Sequence, residues 1–299
     1  MNSYQFQDMQ IIWLESTSTL SDGGPAFGPV PKAVWSNRYP TNEDYAINMV
    51  QDPILIQYKG KNYLIDAGFQ TNKLNSKQRR NAGIVGDSQL EISLNKLGLS
   101  TTAIDGVLMT HMHNDHASGL TYLKEGQYQS SFPNAVIYVN KIEWDEMRHP
   151  NIRTKGTYLK SNWEPIQEQV VLFNEFIEIV PGIEMHHTGG HTKGQSIIRL
   201  IQGDQTIIHL SDLLLTTASF NPAWVSGYDD YPMDTIKAKQ YWLKKAFDHQ
   251  YKFIFYHDAY YCLLQLDRDG QTILESVERQ KPALITWPES MKKWARIKD

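Results

Sequence analysis

The sequence predicts an α/β protein in which sheets are covered by helices. Short apolar runs typical of strands alternate with amphipathic segments typical of helices. Two apolar runs are joined by a tight turn, which indicates a hairpin. No linker rich in Gly, Ser or Pro interrupts the 299 residues. We therefore expect one large domain rather than several small ones.

Strands are predicted where apolar runs end at turn residues. The hairpin lies within 52–68, where a Lys-Gly turn separates two apolar-rich runs. The other predicted strands are 10–16, 106–110, 135–140, 183–188, 196–212 and 251–258.

Helices are predicted in three segments that lie between these strands, namely 87–98, 140–149 and 234–250. The first segment ends at Gly98, a favourable C-terminal stop, and Pro150 follows the second. We expect Asp234 to cap the third helix at its N-terminus.

Composition excludes several classes of protein. The chain is 41% hydrophobic and 21% charged, as expected for a globular protein with a sizeable core. Its net charge is −4 and it has no dense run of Lys or Arg, so we expect no nucleic-acid partner. Its start shows neither a signal peptide nor a membrane span, so we expect no membrane partner. The single cysteine, Cys262, excludes an internal disulfide and suits a cytoplasmic protein.

The stretch THMHNDHASG, residues 110–119, concentrates four side chains that bind metals: His111, His113, Asp115 and His116. They follow a predicted strand, and the carboxyl ends of strands in open α/β sheets commonly carry ligand sites. Two histidines one residue apart on an extended segment point the same way, so both can reach one cation. Imidazole and carboxylate are suitable ligands for zinc and other divalent metals.

Six residues cannot supply two complete metal shells, so further ligands are expected at other strand ends. His191 lies in a glycine-lined turn after the predicted strand 183–188. Asp212 ends another predicted strand and has two oxygens with which to bridge two cations. His257 follows an aromatic strand. The sequence thus offers three candidates to complete the site.

These motifs together resemble the metallo-β-lactamase superfamily. HxHxDH is followed by the GH-containing turn, by Asp212 and by His257, and YLIDAG at 63–68 is similar to the early Asp-Gly motif of the family. The order resembles the N-acyl-homoserine lactonases. The stretches GGPAFGPVPKAVWS, DPILIQ, WDEMRHPNIR, HTGGH and YDDYPMD are similar to a YtnP-type subgroup of lactonases. The resemblance covers most of residues 8–275.

The resemblance implies an αββα sandwich, in which two mixed sheets are flanked by helices. It also implies one domain over residues 1–299, with a C-terminal extension at about 276–299. Relatives of this type are often dimers, so a homodimer is expected.

The same resemblance implies a site for two divalent metal ions, with zinc expected and Mn, Fe or Co as alternatives. Asp66 is implied as a residue that orients a ligand. The ligands are implied as two sets and one bridge: His111, His113 and His191 on the first metal, Asp115, His116 and His257 on the second, and Asp212 between them.

Two departures from the family pattern concern the substrate side of the site. The superfamily often has GHTPGH, whereas this chain has GHTKGQ, with Lys193 and Gln195. Well-known homoserine lactonases place a Tyr three residues after the bridging Asp, where it contacts the lactone carbonyl. Here that position is Leu215. A carbonyl-contacting phenol must therefore come from another loop, or the metal must act on the carbonyl alone.

The activity implied is opening of a lactone ring, that of an N-acyl-homoserine lactone (quorum quenching) or a related lactone, by a hydroxide that bridges the metals. Asp115 or Asp212 would pass a proton to the leaving alkoxide. Two apolar loops, 20–40 and 219–232, are expected to line the substrate pocket. The aromatic residues predicted to contact substrate there are Phe27, Trp35, Phe220 and Trp224.

The sequence leaves other functions open. The same metals would suit an arylesterase or organophosphate hydrolase, so the expected partner is a small-molecule lactone or ester. A thioesterase for glutathione esters or a ribonuclease would need a basic cluster, which the sequence lacks. A metal-binding protein without catalysis would be expected to lack a ligand, yet all seven positions are occupied.

Overall fold

The computed structural model describes residues 1–287. Its strands, in chain order, are β1 (Ser3–Phe6), β2 (Met9–Trp13), β3 (Thr17–Asp22), β4 (Ala46–Gln51), β5 (Ile54–Tyr58), β6 (Lys61–Ile65), β7 (Ile84–Val85), β8 (Gly106–Leu108), β9 (Thr121–Lys124), β10 (Gln127–Ser130), β11 (Val136–Asn140), β12 (Val170–Phe173), β13 (Phe176–Val180), β14 (Ile183–His187), β15 (Ser196–Gln202), β16 (Gln205–His209), β17 (Lys252–Ile254), β18 (Tyr261–Leu266) and β19 (Ile273–Glu278). Its α-helices are α1 (Gly23–Phe27), α2 (Lys32–Trp35), α3 (Ser76–Asn81), α4 (Leu90–Lys96), α5 (Asn114–Ala117), α6 (Lys141–Arg148), α7 (Lys160–Trp163) and α8 (Pro232–Asp248).

Two seven-stranded mixed sheets form the body of the fold. The first has the order β1-β2-β5-β6-β8-β11-β12, and its last four strands are parallel. The second has the order β13-β14-β15-β16-β17-β18-β19, in which only β16 and β17 pair in parallel. The hairpin predicted within 52–68 is confirmed, because β5 pairs with β6 across a turn at Lys59 and Gly60.

The side chains of both sheets alternate between two buried environments. In the first sheet, Ile11 contributes to the core between the sheets, whereas its neighbour Ile12 packs beneath α4 and α6. In the second sheet, Ile207 faces the inter-sheet core and Ile208 packs against α8. Since strand side chains point alternately to opposite faces, this pattern requires helices outside both sheets. The expected αββα sandwich is confirmed.

Two local expectations were wrong. The third predicted helix begins at Pro232 rather than at an Asp234 cap, because proline suits the first helical position, where no N–H partner is needed. The stretch 20–40 is not all loop, since it forms α1 and α2. A small third sheet, of order β4-β3-β7, lies beside these helices in the chain and was not predicted.

Arg279 anchors the last described strand to the rest of the fold. β19 pairs with β18, and the side chain of Arg279, which follows it, is 2% exposed. The guanidinium forms an ion pair with Asp52 at 2.8 Å and donates to the carbonyls of Phe255, Tyr256 and Asp258. Part of the predicted C-terminal extension, 288–299, lies outside the described residues. No helix within residues 1–287 is long and apolar enough to cross a bilayer.

Candidate metal centre

Four strands end at one edge of the sandwich, and each is followed by predicted metal ligands. β14 and β16 both run antiparallel to β15, and β17 is parallel to β16, so the carboxyl ends of all three meet. β8 contributes from the other sheet. The chain leaves these four ends into the residues that the sequence singled out: His111 to His116 after β8, His191 after β14, Asp212 after β16 and His257 after β17.

The structure brings His111, His113 and His191 together as a first set. Their ligand atoms lie within 4.8 Å of one another. Nε2 of His191 is 2.9 Å from Nδ1 of His113 and 3.3 Å from Oδ2 of Asp212. Nε2 of His111 is 3.8 Å from the same Asp212 oxygen. One oxygen of Asp212 therefore faces this set.

Asp115, His116 and His257 form a second set on the other side of Asp212. The Nε2 atoms of His116 and His257 are 3.0 Å apart, and each is 3.3 Å from Oδ1 of Asp212. Oδ2 of Asp115 lies 3.6 Å from His257 and 3.7 Å from His116. The two carboxylate oxygens of Asp212 thus point to different sets, which is the arrangement expected of a bridging ligand.

Hydrogen bonds on the far side of each ring fix which nitrogen faces the centre. His116 donates from Nδ1 to Asp66 at 2.8 Å, and His257 donates from Nδ1 to the Val50 carbonyl at 2.9 Å. Thr110 donates its hydroxyl proton to Asp66, so it accepts from Nδ1 of His111. The Nε2 atoms of these histidines therefore face the centre, where each could offer a lone pair to a cation.

These ring nitrogens converge on one another and on Asp212. Two ring nitrogens 3.0 Å apart face each other and a carboxylate, and the buried Nε2 of His111 has no hydrogen-bond partner within the described residues. Burial lowers the pKa of His111 and of His113, so both are neutral bases. Buried polar atoms are normally paired, and a cation would pair all of them. The donor set therefore fits divalent metal ions.

Electrostatics supports the same reading. Burial alone would lower the pKa of His116, but Asp212, Asp115 and Asp66 raise it well above its usual range. Burial alone would raise the pKa of Asp212, but neighbouring imidazoles, His116 first, hold it well below its usual range. The region between the two sets thus favours positive charge.

Asp229 is a ligand-orienting residue that sequence reasoning missed. Its Oδ1 accepts from Nδ1 of His191 at 2.8 Å, and the residue is 5% exposed. The carboxylate fixes the tautomer and orientation of His191, as Asp66 does for His116. Asp229 lies in YDDYPMD, which resembles a stretch of the lactonase subgroup, but the sequence does not indicate which of its aspartates contacts the histidine.

The four aromatic residues predicted to contact substrate lie in packed clusters. Phe27 and Trp35 are each 2% exposed and stack with ring centroids 5.0 Å apart. Trp224 contacts Phe27 edge-on, and Phe220 packs against Phe253 near α8. None of the four lines the cavity that opens on the metal ligands. Phe27, Trp35 and Trp224 pack in the same cluster as Met49, which lines the cavity, whereas Phe220 packs beside α8.

That cavity has a volume of about 780 Å³ and reaches ligands of both sets. Its walls come from β3 and β4 of the small sheet, from residues 80–83, from the loop that includes Arg153, and from Gly227, Tyr228 and Asp230. Leu215 lines it, as does the ring of Tyr228, a phenol from another loop. Arg153 at the rim is neutralised by an ion pair with Asp230.

A comparison with known families agrees with this geometry. The model of the metallo-beta-lactamase superfamily matches residues 49–256, which hold six of the seven candidate ligands, and the seventh, His257, directly follows that range. A solved structure from Staphylococcus aureus, described as a probable metal-dependent hydrolase, is 40% identical. It superposes with a TM-score of 0.89 over 93% of this chain and 100% of that one.

Lactonases are more distant relatives. An N-acyl homoserine lactonase from a Bacillus species is 26% identical over 147 residues, 48% of this chain, and the match spans about half (53%) of that relative's length. AidC, a dizinc quorum-quenching lactonase solved with the product N-hexnoyl-L-homoserine, is 18% identical, with a TM-score of 0.75 over 94% of this chain and 98% of AidC. At that identity the likeness shows the fold alone. Taken with the family match, these findings establish that the chain belongs to the metallo-β-lactamase superfamily.

Proposed function

We propose that this protein is a metal-dependent hydrolase that opens lactone rings, with N-acyl-homoserine lactones as its substrate class. The observation that supports this most is Asp212, whose two oxygens face the two ligand sets, 3.3 Å from His191 on one side and from His116 and His257 on the other. The lactonase relatives, one of them described as dizinc, guide the choice of substrate and metal. Zinc is the metal that we propose, while Mn, Fe and Co suit the same ligands.

Two divalent cations held there would supply a water nucleophile at neutral pH and polarise the substrate carbonyl. The residues of the chain itself orient the ligands. Asp66 and Asp229 keep His116 and His191 in the tautomer that faces the centre.

The two aspartates of the centre differ in access. The Asp115 side chain is 28% exposed and lines the cavity, whereas that of Asp212 is 5% exposed. We therefore assign the proton transfer to the leaving alkoxide to Asp115, and the bridging role to Asp212. The homodimer and the cytoplasmic location stay predictions.

The substrate assignment is tested by turnover on one preparation of known metal content. We expect kcat/KM for N-acyl-homoserine lactones of graded chain length to exceed that for γ-lactones, aryl esters and organophosphates by at least about tenfold. Chelation should abolish turnover and lower the melting temperature, because metals bind only the folded state, and zinc should restore both. Lactone hydrolysis that survives full metal removal would contradict the proposal. A preference for aryl esters or organophosphates would reassign the substrate and keep the metal centre.

Tyr228 is the phenol that we propose in place of the missing tyrosine at Leu215. It lines the cavity together with Asp115, and burial, followed by the carboxylates of Asp115 and Asp22, raises its pKa. Its hydroxyl is therefore a proton donor at neutral pH, available to a substrate carbonyl.

We expect Tyr228→Phe to lower kcat by about 100-fold, because one preorganised donor to the developing oxyanion is lost, while KM changes little. Steady-state kinetics on the preferred lactone measures this. Tyr241→Phe is the matched control, since that ring is 59% exposed on α8 and outside the cavity. An unchanged kcat in Tyr228→Phe would mean that the metal alone polarises the carbonyl.

A further inference from the structure

Glu143 is a fully buried carboxylate that forms no ion pair with any residue of the described part of the chain. It lies in the first turn of α6, and three donors converge on it. Oε1 accepts from the backbone N–H of Met112 at 2.7 Å and from the Tyr158 hydroxyl at 3.0 Å. Oε2 accepts from the Thr192 hydroxyl at 2.6 Å. Burying a charge costs free energy, so the hydrogen bonds to Glu143 must offset that cost.

The donors belong to the loops that hold the first histidine set. Met112 lies between His111 and His113, and Thr192 directly follows His191. The ring of the third donor, Tyr158, lies 5.4 Å from the ring of His113. A single carboxylate is thus hydrogen-bonded to both loops whose relative position decides whether three imidazoles meet.

Packing also brings α6 and the loop after His191 into direct contact. A Cβ on Gly194 would lie 2.1 Å from the backbone nitrogen of Glu143 and 2.4 Å from its Cα. One turn further along α6, Glu146 accepts from the backbone N–H of Lys193 at 3.2 Å. The first turns of α6 therefore lie directly against the loop that follows His191, with no room for a side chain between them.

The second set is held by other groups. Asp66 and the Val50 carbonyl orient His116 and His257, and the Tyr256 hydroxyl donates to the carbonyl of Asp115 at 2.8 Å. None of these groups contacts Glu143. A change at Glu143 should therefore reach one half of the centre and not the other.

We propose that Glu143 is the positioning residue of the first histidine set, and that it tunes the metal affinity of that set alone. This inference rests on the metal centre of the proposed function, but it makes no reference to the substrate. The inference predicts that the two metal sites respond differently to a substitution of Glu143. Removing Glu143 should turn a protein with two tight metal sites into one with a single tight site.

The test is metal affinity, measured by chelator competition and by metal content after dialysis, in wild type and variants. We expect Glu143→Ala to weaken one of the two sites by about 10- to 100-fold and to leave the other within threefold of wild type. Glu143→Gln keeps an acceptor for Met112 and Tyr158, so we expect it to lose less than tenfold. Asp145→Asn, an exposed carboxylate on the same helix, is the control and should match wild type.

Two further readouts separate positioning from general destabilisation. Cobalt-substituted Glu143→Ala should lose the absorption bands of one site only. In metal-free protein, the Met112 amide should exchange with solvent faster than in wild type. Thr192→Val, which removes one donor at constant shape, should give a smaller loss at the same site if Glu143→Ala does not fold.

Equal weakening of both sites, or of neither, would overturn the positioning role. Equal losses in Glu143→Ala and Glu143→Gln would also overturn it, because charge rather than hydrogen bonding would then decide the affinity. The proposed function is tested separately, since wild type that binds no metal pair, or hydrolyses no lactone, contradicts that proposal whatever the variants do.

Discussion

Asp212→Asn is expected to reduce kcat/KM on the order of 10³-fold, as removal of a member of a catalytic unit does. The substitution keeps the shape of the side chain but replaces one oxygen with an NH2 group. That group carries protons toward one set of ligands, where His116 and His257 otherwise lie 3.3 Å from a carboxylate oxygen. One set would then lack its bridging ligand, and the negative charge shared by both sets would be gone.

Kinetics and metal content measured on the same sample decide this prediction. We expect fewer than two metals per chain in Asp212→Asn, because a neutral amide is a poor bridge between cations. Asp204→Asn is the matched control, since Asp204 is exposed at the opposite end of β16. Wild-type turnover with two metals bound in Asp212→Asn would show that the carboxylate does not bridge.

Gly194→Ala is expected to destabilise the folded protein by about 3 kcal/mol and to weaken metal binding at the first histidine set. The added Cβ would meet the backbone of α6 within 2.4 Å, and backbone cannot rotate away as a flexible side chain can. The helix or the loop after His191 must move. Movement of that loop displaces His191 from Asp212.

Unfolding in urea, with and without zinc, measures both effects. Gly156→Ala is the control, because a Cβ there meets nothing within 4 Å and its backbone is not left-handed. That substitution should be neutral or slightly stabilising. Equal stability of the two variants would show that α6 and the loop can separate without cost.

Much of the fold and the ligand set is legible in the sequence because the signals are local. The strand 106–110 and the histidines after it form one continuous pattern, and each remaining ligand candidate follows its own predicted strand. The structure brings these residues to one edge. β3 gave no such signal, because its Thr and Ser residues show no apolar alternation.

Contacts between distant segments were not predictable. Asp229 lies 38 residues from His191, and Glu143 lies 31 residues from Met112 and 49 from Thr192. Each looks like an ordinary acidic residue until the fold brings it to its donor. The burial of Phe27 and Trp35 was not predictable for a related reason. Gly and Pro nearby indicate an exposed loop, whereas α1 and α2 bury both rings.

The ion pair between Arg279 and Asp52 has a consequence for how the protein matures. The guanidinium is hydrogen-bonded to carbonyls on both sides of His257, while Asp52 lies two residues beyond Val50, the acceptor for that histidine. A nascent chain that has been translated only as far as His257 lacks Arg279 and therefore these contacts. We therefore expect the second ligand set of the proposed metal centre to be completed only after Arg279, which follows β19, has been translated.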